Sequence, residues 1–176
     1  FSLNLDTLSV TKIGNGSGKV ASSDSRVNCG STCSNSFPQG STVTLTATPN
    51  VGSTFTGWSG ACTGTGKCEV SMTEAKAVTA TFNLQKLTLS VSNTKIGNGM
   101  GAIVSSSQAG LIDCGTVCST LLDYGESVTL TAKAVTGSEF FGWTGDSCGG
   151  VTQPECRVSM TAVKNIFATF NLSRQP

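Results

Sequence analysis

The chain repeats itself, and that restricts its fold more than any other feature. Thr11-Lys12-Ile13-Gly14-Asn15-Gly16 returns as Thr94-Lys95-Ile96-Gly97-Asn98-Gly99, and Cys29-Gly30 with Cys33 returns as Cys114-Gly115 with Cys118. Val43-Thr44-Leu45-Thr46-Ala47 returns as Val128-Thr129-Leu130-Thr131-Ala132, and Gly57-Trp58 as Gly142-Trp143. Val70-Ser71-Met72-Thr73 returns as Val158-Ser159-Met160-Thr161, and Ala80-Thr81-Phe82-Asn83-Leu84 as Ala168-Thr169-Phe170-Asn171-Leu172. The offset grows from 83 residues at Thr11 and Thr94 to 88 at Ala80 and Ala168. The growth falls in Gly-, Ser- and Cys-rich stretches, where loops absorb insertions. The 176 residues therefore divide into two modules, 1–84 and 85–176. The joint Asn83-Leu84-Gln85-Lys86 has no Pro/Gly/Ser tract and is flanked by strand-like residues, which predicts a short, stiff connection and modules stacked end to end.

The repeat also extends past its own edges. Phe1-Ser2-Leu3 matches Phe82-Asn83-Leu84, and Thr7-Leu8-Ser9-Val10 matches Thr88-Leu89-Ser90-Val91 at the same offset of 81. Phe1 thus stands where the last aromatic of a preceding copy would stand, and the expectation is a piece of a longer, modular, secreted protein. The competing reading is a coincidental Phe in a first strand. Phe1-Ser2-Leu3-Asn4 has neither the charged nor the apolar region of a signal peptide.

A module of this size buries a thin core and is marginal without further support. The eight cysteines, four per module, suggest the support. Their even number and their Gly/Ser/Thr surroundings read as a disulfide framework and an extracytoplasmic compartment. A zinc site is the rival, but the chain has no histidine and its spacings are Cys-x3-Cys, Cys-x5-Cys and Cys-x7-Cys. Pairing repeated in each module leaves three choices, of which Cys29–Cys33 with Cys62–Cys68, and Cys114–Cys118 with Cys148–Cys156, is the one favoured. A bridge that closes its own loop tolerates the difference in spacing between Cys62–Cys68 and Cys148–Cys156. Crossed pairing, such as Cys29 to Cys62, is the alternative.

Net charge is +1 and only 12% of residues are charged, so there is no basic footprint for nucleic acid. No apolar run approaches a membrane span. Ser and Thr number 24 and 25 and alternate with apolar residues, which is the composition of short strands with polar faces. Thr7–Val10 reads as a first strand. Gly14-Asn15-Gly16-Ser17-Gly18 carries an Asn-Gly hairpin signal, after which Lys19–Ser22 returns. A strand around Val27–Cys29 leads into the Cys-x3-Cys loop. Thr42–Thr48 is the clearest strand, with Val43, Leu45 and Ala47 on one face and Pro49 as its stop. Thr54–Trp58, Glu69–Met72 and Ala77–Phe82 complete about six strands per module, and Thr73–Lys76 is compatible with a short helical turn. The expected class is all-β, a small sheet fold or sandwich in two tandem disulfide-stapled copies.

The succession is a Leu-x-Val strand, Gly-x-Gly-x-Gly, Cys-Gly-x-x-Cys, Val-Thr-Leu-Thr-Ala, Gly-Ser-x-Phe-x-Gly-Trp-x-Gly, a Cys-bracketed loop, Val-x-Met and a closing Ala-Thr-Phe. It resembles the divergent internalin B-repeat modules of bacterial surface and secreted proteins. Gly137-Ser138-Glu139-Phe140-Phe141-Gly142-Trp143-Thr144-Gly145 fits the same signature in the second copy. The resemblance covers nearly the whole chain, twice. It implies a β-grasp-like module used in tandem arrays, and no catalysis.

The residues themselves offer little chemistry. Without histidine there is no Ser-His-Asp triad and no Cys-His dyad. Gly145-Asp146-Ser147 has no base, and the first copy has Gly60-Ala61-Cys62 in its place. The Gly14-x-Gly16-x-Gly18 stretch has no helix behind it to hold phosphate. Asp24, Glu69 and Glu74 lack acidic counterparts in the second copy, which argues against a paired-carboxylate glycosidase. No Asp-x-Asp-x-Asp-Gly calcium loop is present, and no cofactor or metal is expected. Trp58 and Trp143 either stack on sugars or anchor each core with Phe55 and Phe140; recurrence beside Gly at a strand corner favours the core.

The expected function is thus a non-enzymatic spacer or adhesion element at the cell surface, its partner a protein or a glycan. Two alternatives stand beside it. One is a filament subunit that pairs with further copies of itself through Phe1–Val10 and Ala168–Leu172. The other is an accessory polysaccharide-binding module.

Overall fold

The structure, a computed structural model, describes residues 4–30, 33–94, 97–106, 112–114 and 117–174. The chain divides into two compact units, Phe1–Gln85 and Lys86–Pro176. Among the described residues there is no helix. Thr73 and Glu74 form a bend, and Lys76 already begins a strand, so the helical turn expected there does not form.

The first unit holds eight strands: β1 (Leu5–Ile13), β2 (Gly18–Ser22), β3 (Asn28–Cys29), β4 (Ser34–Pro38), β5 (Thr42–Pro49), β6 (Ser53–Gly60), β7 (Cys68–Ser71) and β8 (Lys76–Leu84). They form two four-stranded sheets, β4-β1-β8-β6 and β3-β2-β5-β7. The second unit repeats this with β9 (Lys86–Thr94), β10 (Gly101–Ser105), β11 (Asp113–Cys114), β12 (Val117–Asp123), β13 (Ser127–Ala134), β14 (Ser138–Gly145), β15 (Glu155–Ser159) and β16 (Lys164–Leu172). Its sheets are β12-β9-β16-β14 and β11-β10-β13-β15, the same order moved on by eight strands. The all-β class in two tandem stapled modules is therefore what the chain adopts. About six strands were expected per module; the seven segments named above each fall on a strand, and eight strands form in each module among the described residues. The additional β4 is mostly polar, with Phe37 its one buried aromatic, so alternation alone did not reveal it.

Each unit closes one core between its two sheets. In the first, Leu8, Val78 and Phe82 from one sheet meet Val20, Leu45 and Val70 from the other. Leu89, Ile166 and Phe170 meet Ile103, Leu130 and Val158 in the second. The alternating Val-Thr-Leu-Thr pattern accounts for this, since successive side chains on a strand point to opposite faces.

Two pairings depart from the sequence reading. β1 and β2 do not form a hairpin: β1 pairs with β4 and β8, whereas β2 pairs with β3 and β5. The glycine-rich stretch instead carries the chain from one sheet to the other. Asn15 does not adopt the positive φ of a hairpin turn, while Gly14 does, at +102°. The second departure concerns the segments offered for strand addition. β1 lies between β4 and β8, and β16 lies between β9 and β14, so both already have a neighbour on each side. Both neighbours are present at residues 8–9 and 166–169, where strand addition would require displacing a partner. Residues 5–7 pair only with β4, and residues 170–172 only with β14. Residues 1–3 of the first segment lie outside the described residues.

The first and last strands of each module run parallel. β1 pairs with β8 from Leu8↔Lys76 to Ile13↔Thr81, and β9 with β16 from Leu89↔Lys164 to Thr94↔Thr169. Every other strand pairing among the described residues is antiparallel.

Candidate functional site

The recurring residues converge on two constructions. The first is the crossing between β1 and β2. The Gly16 N–H donates to the Phe82 carbonyl at 2.9 Å, and the Leu84 N–H donates to Asn15 Oδ1 at 3.0 Å. In the second copy the Gly99 N–H donates to the Phe170 carbonyl at 3.0 Å and the Leu172 N–H to Asn98 Oδ1 at 3.0 Å. A Cβ on Gly14 would overlap the Phe82 carbonyl, one on Gly16 the Asn83 backbone, and one on Gly18 the Phe82 ring. Gly97, Gly99 and Gly101 stand in the same relation to Phe170 and Asn171. The motif is thus a close backbone approach to the end of the last strand. Its signal in the sequence was the joint recurrence of Ile-Gly-Asn-Gly with Phe-Asn-Leu.

The second construction is the tryptophan corner. In a regular strand Phe55 and Trp58 would face opposite sides. The β6–β8 register slips between Phe55 and Gly57, a bulge that brings both rings inward. Their centroids lie 4.9 Å apart in an edge-to-face arrangement, and Phe55 lies 5.4 Å from Phe82. The same slip between Phe140 and Gly142 sets Phe140 5.4 Å from Trp143 and 5.7 Å from Phe170. Both tryptophans are buried, so neither offers a free ring face to a sugar. Each ring holds the loop that follows it. Trp58 Nε1–H donates to the Gly66 carbonyl at 2.7 Å and its backbone N–H to Gly64 at 2.8 Å. Trp143 Nε1–H donates to Gln153 at 3.1 Å and its backbone N–H to Val151 at 2.9 Å.

Disulfides fasten the same regions. Cys62 is bonded to Cys68 and Cys148 to Cys156, closing the loops that the tryptophans hold. Cys29 is bonded to Cys33. Cys29 ends β3 of one sheet and the Cys33 carbonyl accepts from Val10 of the other, so this bridge spans a sheet-to-sheet crossing. Cys118 is disulfide-bonded as well, while the side chain of Cys114 lies outside the described residues. Local bridges of this size each contribute about 2 kcal/mol by restricting the unfolded chain.

Charge is sparse and superficial. The Ser22 hydroxyl donates to Asp24 at 2.6 Å, and this bond, with Arg26 nearby, holds the Asp24 carboxyl below its ordinary value of 3.8. The Lys76 ammonium at 2.7 Å does the same for Glu74, below 4.5. The hydrogen bond to Asp123 at 2.8 Å raises Lys86. Asp146 accepts the Asn165 N–H at 2.9 Å, and Ser147 beside it takes a positive φ of 69°, the geometry of a loop. Among the described residues no three His, Cys, Asp or Glu side chains are grouped to hold a metal, and no helix is long and apolar enough to cross a membrane. The two lowered carboxyls stabilise the fold above their unfolded values, and that contribution is lost as pH falls through their folded values. With no histidine, the melting temperature is expected to stay flat from about pH 5 to 8 and to fall only below about pH 4. Thermal melts across that range check this, and a midpoint that moves near pH 6.5 would contradict it.

The two copies differ on the outer face of one sheet. Thr56 and Thr79 in the first copy are replaced by Phe141 and Phe167 in the second. Gly64, which accepts the Trp58 N–H, is replaced by Val151. Phe141 is 66% exposed. These positions carry no recurrence between the copies.

A family model for the divergent InlB B-repeat domain matches residues 7–86 and 100–174. No curated protein matches the chain. Among solved structures, the Bacillus anthracis TIE protein aligns with a TM-score of 0.57 at 12% identity, over 96% of this chain and 34% of that one. The chain therefore spans about a third of that protein, and the likeness is one of fold alone. The T-13 major pilin of Streptococcus pyogenes aligns with a TM-score of 0.41 at 8% identity, over 98% of each chain.

Proposed function

Because this chain belongs to the divergent InlB B-repeat family, we propose that it serves as a non-catalytic extracellular pair of modules that spaces or presents a partner-binding region of a larger secreted protein. One observation carries the reading: what recurs between the copies is architecture. The glycine crossing, the tryptophan corner, the cysteine pairs and the alternating core are kept, while Asp24, Glu69 and Glu74 have no acidic counterparts. A catalytic unit duplicated for its chemistry would repeat its reactive groups. Disulfides in so small a module suit an oxidising compartment outside the cytoplasm. Partner binding by protein or glycan fits the exposed Ser/Thr faces. Membership in a bacterial surface-repeat family supports a place at the cell surface.

The test is to label intact cells of the source with an antibody against the chain and to alkylate the chain as isolated, without reductant. Surface labelling and protection of the thiols are expected. A chain confined to the cytoplasm whose eight cysteines all alkylate would overturn the proposal. Electron microscopy of the purified chain should show discrete particles. Filaments would replace this reading with a fibre subunit.

A further inference from the structure

The difference between the copies creates a surface that the first module does not share. Phe141 sits at the bulge of β14, the strand at the edge of its sheet. The Cys148–Cys156 loop arches beside it and presents Val151. Between them lies a cleft of about 310 Å³ lined by Phe141, Trp143, Thr144, Val151 and Thr152, with glycine backbone between and no charged residue. On the same face Phe167 pairs directly with Thr144. Where this surface has Phe141, Phe167 and Val151, the first copy has Thr56, Thr79 and Gly64, with Thr56 Oγ1 turned back onto the Thr81 carbonyl at 3.2 Å. Two of the apolar replacements, Phe141 and Val151, thus line the cleft from separate segments, and the third, Phe167, is the strand partner of Thr144 in its wall. An exposed aromatic continuous with an apolar cleft marks a candidate interaction site, where a singly exposed apolar residue would not.

We infer that this cleft docks an extended peptide segment of a partner protein, whose aliphatic or aromatic side chain enters between Phe141 and Val151. Two features favour that occupant. The lining is apolar and uncharged, with threonine hydroxyls its only polar side chains, which suits an apolar side chain better than the many hydroxyls of a glycan. The loop already lays a short strand-like contact on the outer side of β14, where the Gly150 N–H donates to the Trp143 carbonyl at 3.2 Å and the Trp143 N–H to Val151. Among the described residues β14 pairs with no strand on this side beyond that contact, so an added segment would run along the rest of the same edge. The inference deepens the proposed function and rests on it for the partner being an extracellular protein. The docking itself is a property of the isolated chain.

The experiment uses the purified full chain, isotopically labelled for NMR, and nine-residue synthetic peptides with Val or Phe at alternate positions and Ser or Thr between. Matched peptides with Asp, Lys or Gly at those positions serve as controls. The apolar peptides are expected to shift resonances of Phe141, Thr144 and Val151, and the controls to leave them unmoved. Phe141→Thr should weaken binding at least about tenfold, the usual loss for a central aromatic anchor. Val151→Gly, which places glycine where the first copy has Gly64, should weaken it as well. Because Val151 also packs against the core, a thermal melt of this variant accompanies the titration, and the exposed Phe141→Thr carries the test if that variant is destabilised. Unchanged affinity in both variants, or shifts confined to other surfaces, would overturn the inference. So would binding of neutral glucan or chitin oligomers at the cleft with the peptides silent, or Phe141-dependent self-association in sedimentation. Since the assay is independent of where the protein resides, its failure is distinct from failure of the surface-labelling test.

Discussion

Trp58→Ala is expected to destabilise the first module by about 3–5 kcal/mol, the cost of deleting a large buried aromatic. The residue is 5% exposed and its ring packs on Phe55, so its loss leaves a cavity in a core with few large residues. It also frees the Cys62–Cys68 loop from the Nε1–H bond to Gly66. Small domains have only about 5–15 kcal/mol in total, so the first module should unfold in mild urea. The sequence supplies its own reporters, because there is one tryptophan in each unit. In Trp58→Ala the remaining Trp143 should report an unshifted transition for the second module, while far-UV circular dichroism shows an earlier one. Trp58→Phe keeps most of the packing and should lose about 1 kcal/mol with the hydrogen bond. A Trp58→Ala variant with one transition at the original midpoint would show that the corner is not what holds the core.

Gly14→Ala is expected to cost about 2–5 kcal/mol, the sum of a left-handed backbone penalty and overpacking. Gly14 holds φ at +102°, and a Cβ there would overlap the Phe82 carbonyl. The carbonyl cannot withdraw easily, because it already accepts from Gly16 and belongs to a central strand. Two other glycines separate the contributions. Gly40 has φ of +82° with open space around it, so Gly40→Ala should show the conformational part alone, about 1–2 kcal/mol. Gly66 has neither a positive φ nor a near neighbour, and Gly66→Ala should be close to neutral. Urea denaturation of the three variants gives the ranking. Equal losses for Gly14→Ala and Gly40→Ala would remove the close approach as an explanation.

Much of the fold was legible in the residues, for a physical reason. A strand with one buried face must alternate, so Val43-Thr44-Leu45-Thr46 announces both the element and the side that faces the core. Alternation says nothing about which strand lies beside which. The glycine stretch showed this cost: Asn15-Gly16 is a strong local turn signal, yet its partner, Phe82, lies at the far end of the module. β4 stayed hidden because only Phe37 among its five residues is deeply buried. The bulge at Phe55 and Gly57 was invisible too, since it is defined by the register with β8. At the candidate surface, duplication itself concealed the signal. Recurrence marks what builds a module, whereas Phe141 and Val151 matter because Thr56 and Gly64 are not like them.

The parallel pairing of the first and last strands has a mechanical meaning. Since β1 and β8 run in the same direction, the chain enters a module at one end of that ladder and leaves at the other. A pull on the two ends drags the strands lengthwise past each other. The pairs from Leu8↔Lys76 to Ile13↔Thr81 are then loaded together, in shear, and cannot be opened one at a time like a zip. The glycine crossing reinforces the place where β1 ends, with Gly16 and Asn15 bonded to Phe82 and Leu84 near the end of β8. The second module repeats the arrangement through β9 and β16. Tension applied through the chain ends would therefore load the terminal ladder of each unit in shear.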